Sequence, residues 1–170
     1  ELALLKGRAD GLEAKIGEFE AGQFSSTTKL NGKAIFTVGG TDEDDASNND
    51  AVTFNYTYQL NLNSSFTGKD LLYTRIKTGN FGPSNLKNSS GAYVNHANSN
   101  DDTLKVDKLW YQFPVGDNMQ MWLGAKIENY YMLASAPSIY KPILKDLKLG
   151  GNGAVYGAST GQGFGVAWTQ

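Results

Sequence analysis

From residue 27 onward, apolar and polar residues alternate along the chain with a period of two. This period is typical of β-strands that have one apolar face. The clearest stretch covers residues 52–63, where Val, Phe, Tyr and Leu alternate without a break with Thr, Asn and Gln. The pattern predicts a strand with one apolar face and one fully polar face.

The same alternation predicts seven strands in total. They cover residues 27–38, 52–63, 71–79, 104–113, 119–127, 154–159 and 164–168. The last two are expected to form a glycine-rich hairpin that turns at residues 160–162. Three positions break the alternation, namely Ile35 in the first strand and Val106 and Asp107 at the start of the fourth.

The connections between these strands alternate in length as well. Long connections are predicted at residues 41–50, 80–102 and 128–152, and short ones at residues 64–70, 114–118 and 160–162. Transmembrane β-barrels have tight turns on one side of the membrane and extended loops on the other. The second strand, at about eleven residues, also has the length that crosses a bilayer at a tilt. The fold class expected is therefore all-β, an antiparallel transmembrane β-barrel.

Seven is an odd number of strands, whereas bacterial single-chain barrels close with an even number. We therefore expect the polypeptide to continue beyond Gln170. In the alternative arrangement, several copies each contribute strands to one barrel.

A different period marks the first 22 residues, which predict a short coiled-coil helix ahead of the barrel part at residues 27–170. Its apolar seam has spacings of three and four. The charges at the flanking positions, Arg8 and Lys15 against Glu13 and Glu20, suit a parallel partner helix. An amphipathic helix that packs on its own domain is the alternative. The seam residues are Leu2, Leu5, Ala9, Leu12, Ile16 and Phe19.

Composition excludes several classes of protein. No apolar run approaches the roughly 18 residues of a membrane-spanning helix. The 170 residues include no cysteine, so disulfides and thiolate metal sites are ruled out for this chain. A net charge of −2 gives no reason to expect a nucleic-acid partner.

Four segments carry a family resemblance: residues 1–22, 25–32 (SSTTKLNG), 64–73 (SSFTGKDLLY) and 107–117 (DKLWYQFPVGD). Together they resemble the cyanobacterial S-layer-homology porins of the iron-uptake type, which are related to carbohydrate-selective porins. The resemblance implies a trimeric barrel in the outer membrane, with the helix in the periplasm and a peptidoglycan-binding domain upstream. It also implies passive passage of small solutes and inorganic ions, with iron as the cargo and with no cofactor.

If the apolar faces contact lipid, the polar faces line the channel. The cations among them have no mid-strand carboxylate beside them, which suggests a bias towards anions. Strands outside this sequence could equally balance the charge. The pore-lining residues expected are Lys29, Lys33, Asn55, Gln59, Arg75, Lys77, Lys108, Trp110 and Lys126.

The loop at residues 128–152 is long enough to fold inward and constrict the pore. A solvent-facing cap is the alternative. Its aromatic and basic side chains are the candidates for contact with solutes: Tyr130, Tyr131, Tyr140, Lys141 and Lys145.

No catalytic or metal site is expected. Residues 157–161 (GASTG) match a nucleophile elbow around Ser159, but the residues that follow predict a strand where that elbow needs a helix. The acidic residues 42–50 could collect Ca²⁺, although such runs are usually solvated loops, and His96 lies alone in a polar loop. The function expected is a diffusion channel, and the alternative is a secreted all-β carbohydrate-binding module.

Overall fold

A computed structural model describes residues 2–22, 27–42, 51–88, 91–132, 142–147 and 159–168. Helix α1 (Leu2–Gly22) comes first, and a short helix α2 (Asn85–Asn88) lies between the third and fourth strands. The body is a six-stranded antiparallel sheet in which sequence neighbours pair in the order β1 to β6. The strands are β1 (Thr28–Gly39), β2 (Thr53–Ser64), β3 (Leu71–Gly79), β4 (Lys105–Val115), β5 (Met119–Glu128) and β6 (Thr160–Trp168).

The all-β expectation agrees with this sheet, which is open rather than closed. Within the described residues, β1 and β6 are the two edges and do not pair with each other. The predicted alternation of connections also holds for the described strands. Residues 65–70 and 116–118 are short links, whereas residues 40–52, 80–104 and 129–159 are long ones.

The predicted C-terminal hairpin is wrong at its turn, because residues 160–162 belong to β6, where Thr160 and Gly161 pair with the end of β5. Most of the proposed strand at residues 154–159 lies outside the described residues. Gly163 and Gly165, which follow the predicted turn, serve close packing. A Cβ on Gly163 or Gly165 would come within 2.9 Å of the Met132 side chain.

The pairing register sorts the side chains onto two faces. In one cross-strand row Leu30, Leu62, Thr74 and Leu109 stand opposite one another, and in the adjacent row Asn31, Asn61, Arg75 and Lys108 do so. Directly opposed residues share a face of the sheet. We call the side that carries Lys33, Gln59 and Arg75 the polar face, and the side that carries Phe36, Tyr58 and Phe164 the apolar face.

A β-bulge explains the irregular start of β4. The register between β3 and β4 shifts by one residue, so that Ile76 pairs with Val106 while Arg75 pairs with Lys108. The extra residue is Asp107. Val106 thereby returns to the apolar face, and the Asp107 carboxylate lies 3.4 Å from the Arg75 guanidinium on the polar face. The expectation that no acidic residue lies mid-strand on this face is therefore wrong.

A second bulge, in β5, reverses two predicted positions. Trp110 pairs with Gly124 and Leu109 with Lys126, so that Ala125 is the extra residue. Ile127 then turns to the polar face, where it is 2% exposed. Lys126 lies opposite an apolar-face residue, and its ammonium donates a hydrogen bond to the Val106 carbonyl. Lys126 also lines a second cavity together with Lys77 and Asp107, so its predicted place in the pore lining stays a prediction.

The short β2–β3 link is organised by one carboxylate. Asp70 is buried and accepts hydrogen bonds from the backbone N–H groups of Phe66 and Thr67, and from the hydroxyls of Ser65, Thr67 and Tyr111. These bonds, above all the one from the Thr67 hydroxyl, lower the pKa of Asp70. The segment SSFTGKD therefore encodes a turn that is closed around its last residue.

The long connection between β3 and β4 has a small core of its own. Phe81, Leu86, Val94 and Ala97 are buried together, with Tyr93 packed against them. Most of the buried apolar side chains of the described residues belong to this loop, and the remaining two are Trp110 and Ile127. The loop is consequently a folded unit.

Helix α1 has the extent that the sequence predicted. The side chains of Leu2, Leu5 and Phe19 lie outside the described set, and Ala9, Leu12 and Ile16 are exposed, with Leu12 at 62% and Ile16 at 55%. The coiled coil stays a prediction. Neither helix in the described part of the chain is long and apolar enough to cross a bilayer.

The close packing of the polar face predicts that Gly124→Ala destabilises the sheet. The added Cβ would lie 2.6 Å from Ile127 Cβ and 2.8 Å from Trp110 Cβ. Overpacking of this kind costs about 1–3 kcal/mol. Thermal unfolding followed by circular dichroism should therefore show a lower melting temperature.

Gly161→Ala is the matched control, because no atom lies within 4 Å of the Cβ built there. Equal melting temperatures for Gly124→Ala and Gly161→Ala would contradict the β5 bulge.

Candidate functional site

The polar face carries one cavity that brings several predicted residues together. It has a volume of about 540 Å³ and lies between the sheet and two long connections. Lys33, Gln59, Arg75, Lys77 and Lys108 line it from the strands. Ile35, the exception to the alternation of β1, lines the same cavity. The functional candidate is therefore this cavity.

The β3–β4 connection covers one side of the cavity through His96. His96 Nε2 lies 2.9 Å from the Thr37 hydroxyl, and the His96 carbonyl accepts a hydrogen bond of 2.8 Å from the Thr57 hydroxyl. The Phe81 ring meets the imidazole edge-on, with centroids 5.9 Å apart. The histidine that lies alone in a polar stretch of the sequence thus helps to join this loop to the sheet.

Burial lowers the pKa of His96, and the nearby ammonium groups of Lys33 and Lys77 lower it further. The imidazole is therefore neutral near pH 7. The charges of these two ammonium groups make the electrostatic potential at the imidazole more positive.

Residues 142–147 cover a second side and are tied to the first loop. The Asn95 N–H donates to the Ile143 carbonyl at 2.6 Å, and the Lys145 N–H donates to the Tyr93 carbonyl at 2.8 Å. The Lys145 ammonium also lies 4.1 Å from the centroid of the Tyr93 ring. Two connections that are distant in sequence thus form one roof.

The contacts of Glu128 fix the 3₁₀ turn Asn129–Met132 against the sheet. Glu128 accepts from the buried Lys108 ammonium at 2.9 Å and from the Tyr130 hydroxyl. Burial and the bond to Glu128 raise the pKa of Tyr130, which stays a neutral phenol. Lys108 also donates to the Thr160 hydroxyl at 2.8 Å. This cation is satisfied by protein groups.

Two predicted pore-lining residues lie on the polar face but are covered. Asn55 is 3% exposed beneath the β3–β4 connection, where its amide donates to the Asn80 carbonyl. Trp110 is 6% exposed and lies between the rings of Tyr73 and Tyr131, at 5.1 and 5.5 Å.

The other predicted residues divide into three groups. Lys29 is exposed on β1, away from the cavity lining. Tyr130 and Tyr131 line the cavity, whereas Lys145 lies on the roof. Tyr140 and Lys141 fall outside the described residues.

Sequence reasoning missed the two carboxylates of the cavity, Asp107 and Glu128. The only signal for Asp107 was the phase slip at Val106, which the β4 bulge explains. Across the described ranges, no group of three or more His, Asp or Glu residues is arranged to hold a metal ion. Most of the acidic run at residues 42–50 lies outside those ranges.

Comparison with known proteins adds a family. The sequence matches the family described as "Carbohydrate-selective porin, OprB family" over residues 1–169. It is 38% identical over 168 residues to the uncharacterized protein alr4550 of Nostoc sp. strain PCC 7120, a match that covers 91% of this chain. It is 35% identical over 156 residues to the uncharacterized protein sll0772 of Synechocystis sp. strain PCC 6803, which covers 88% of the chain.

Each of these matches spans only 28% of the relative's own length. No solved structure is significantly similar to this chain.

The lowered pKa of His96 predicts that acid loosens the roof. A histidine whose pKa is lower in the folded loop stabilises closure fully above its ordinary pKa of about 6.5. That stability is lost as the pH falls from there through the lowered pKa. Hydrogen exchange of residues 91–104, corrected for the intrinsic rate, should be faster at pH 5 than at pH 7.

His96→Gln removes the titrating group and should abolish most of this pH dependence. The same acid-induced loosening in His96→Gln would show that another group is responsible.

Proposed function

The chain belongs to the OprB family of carbohydrate-selective porins, and on that premise we propose that it forms part of the wall of a diffusion channel. Porins of this family are outer-membrane proteins. The proposed solutes are small and hydrophilic, with carbohydrates first among them. Inorganic ions, including iron, are added on the resemblance to the iron-uptake type. The proposal assigns the chain no catalytic activity.

The observation that carries the proposal is the exposed apolar face. Phe36, Phe54, Phe164 and Trp168 are each more than 60% exposed, and they lie on strands whose opposite face holds the packed side chains. A large apolar side chain that stays in water lacks the stabilisation of about 1.5–3 kcal/mol that its burial would give. Hydrocarbon of a bilayer would remove that cost for the whole face at once.

Strand length supports the same proposal. β1 and β2 each contain 12 residues. At a rise of about 3.3 Å per residue and a tilt of about 45°, twelve residues cross roughly 28 Å, close to the hydrocarbon thickness of a bilayer. We infer that β1 and β6 pair with further strands to close a barrel, since unpaired edges are not tolerated in lipid.

The topology supports an orientation as well. α1 precedes β1, and the short links after β2 and β4 lie at the same end of the sheet as the start of β1. Short links face the periplasm in bacterial barrels, so we propose a periplasmic α1. The exposed Leu12 and Ile16 then suit packing against the same helix of other copies in a trimer. A wall-binding domain ahead of α1 rests on the resemblance alone.

The roof over the polar face would make the channel narrow. The two connections and the 3₁₀ turn Asn129–Met132 stand over the side that would face water.

A soluble carbohydrate-binding module would need a second layer on its apolar face. In the described part of the chain that face has no such layer.

The channel can be tested in liposomes that contain the full-length protein. Swelling should be fast with a pentose or hexose and should fall steeply with larger sugars, because the roof narrows the passage. Correctly folded protein that gives no swelling with any sugar would contradict the proposal.

A matched pair of variants tests the lipid contact directly. Leu123→Lys puts a charge on the apolar face and should reduce membrane insertion, since a lysine at mid-bilayer costs about 2–4 kcal/mol. Val52→Lys changes a residue ahead of β2 that is even more exposed, at 75% against 59% for Leu123, and should insert normally. Equal insertion of both variants would favour the soluble module.

A further inference from the structure

The cavity on the polar face contains more positive than negative charge, and its charges are unequally paired. Four cations and two carboxylates line it: Lys33, Arg75, Lys77, Lys108, Asp107 and Glu128. Both carboxylates are used by ion pairs, Asp107 with Arg75 at 3.4 Å and Glu128 with Lys108 at 2.9 Å. Lys33 and Lys77 have no carboxylate within 4.0 Å among the described residues. Two ammonium groups therefore remain available to a ligand.

The strand register places these two lysines in one row. Gln59 on β2 pairs with Lys33 on β1 and with Lys77 on β3. Adjacent strands are about 4.8 Å apart, so the two lysine backbones are separated by roughly 10 Å across the glutamine. Lysine has a long, flexible stem, which allows both ammonium groups to approach one anion above Gln59.

Gln59 adds a neutral donor to the row. Its amide nitrogen donates one hydrogen bond, at 3.0 Å, to the Asn61 side chain. A primary amide has two N–H groups, so the second is available to a ligand. The row thus offers two point charges with one directional donor between them.

We propose that Lys33, Gln59 and Lys77 bind a phosphoryl group, either as free phosphate or as the phosphate of a sugar ester. A phosphate dianion matches the two unpaired ammonium charges and accepts several hydrogen bonds. This inference deepens the proposed channel by naming a solute class and a site within it. The cavity volume of about 540 Å³ lies within the range of about 300–1,000 Å³ that is usual for small-molecule sites.

Two further features of the cavity agree with this ligand. His96 lines the same cavity, and its pKa is lowered by burial and then by Lys33 and Lys77, so the imidazole lies within the electrostatic reach of both lysines. Tyr130, Tyr131 and Pro142 line the same cavity and offer surfaces for a sugar ring. The charges near His96 favour binding of phosphate itself, and the surfaces of Tyr130, Tyr131 and Pro142 favour binding of a sugar phosphate.

The test is isothermal titration of inorganic phosphate into the full-length protein in detergent at pH 7.5. Lys33→Gln and Lys77→Gln should each weaken binding by about tenfold, because each removes a charge-assisted hydrogen bond. Lys29→Gln is the matched control, since it removes the same charge from the same face of β1 outside the cavity lining. Its affinity should stay within about twofold of the parent protein.

Glucose 6-phosphate, compared with inorganic phosphate, distinguishes the two sources of the phosphoryl group. Tighter binding of glucose 6-phosphate than of phosphate would support an ester site, and equal affinities would support a site for phosphate alone. The double variant Lys33→Arg/Lys77→Arg keeps both charges and should retain binding, which controls for folding. No phosphate binding, or binding that survives in Lys33→Gln/Lys77→Gln, would overturn the proposal.

Binding does not require an open channel, so the two proposals fail separately. Phosphate binding without liposome swelling would overturn the channel and support the site. Swelling without phosphate binding would do the reverse.

Discussion

The hydrogen-bonded ladders between neighbouring strands determine which side chains share a face, and the two faces of this sheet differ completely in chemistry. The row that contains Leu30 and Leu62 belongs to the apolar face. The row that contains Lys33, Gln59 and Lys77 belongs to the polar face, which makes most of the polar side-chain contacts. A shift of one residue in any ladder would exchange the two faces. Burial, ion pairing and loop contacts in the described residues all depend on this register.

The bulges in β4 and β5 show how the register accommodates local exceptions. Each inserts one residue, and each changes which side chains reach the polar face. The β4 bulge brings Asp107 next to Arg75, and the β5 bulge turns Ile127 to the polar face. The ion pair between Asp107 and Arg75, which leaves Lys33 and Lys77 without a carboxylate, therefore depends on the β4 bulge.

Five strands, α1 and the polar-face positions of Lys33, Gln59, Arg75, Lys77 and Lys108 could be predicted from the sequence, because a period of two is a local signal. The turn at residues 160–162 was predicted wrongly. Glycine permits a turn and is also tolerated within a strand, and only the pairing of Gly161 with Ile127 on β5 distinguishes these roles.

The roof of the cavity could not be predicted from any local pattern. His96 contacts Thr37 and Thr57, which are 59 and 39 residues away. The bond between Asn95 and Ile143 joins two different connections. Contacts of this kind depend on the whole sheet being in place, so a periodicity read over ten residues contains no information about them.

The central claim is that the apolar face contacts hydrocarbon while the polar face contacts water. Single cysteines along β2, in a chain that contains none, test it most directly when membrane-impermeant maleimide is added to proteoliposomes. Cysteines at Gln59, Asn61 and Asn63 should react, and those at Tyr58, Leu60 and Leu62 should stay unlabelled until the lipid is removed. Rapid labelling of both sets in intact proteoliposomes would contradict the account.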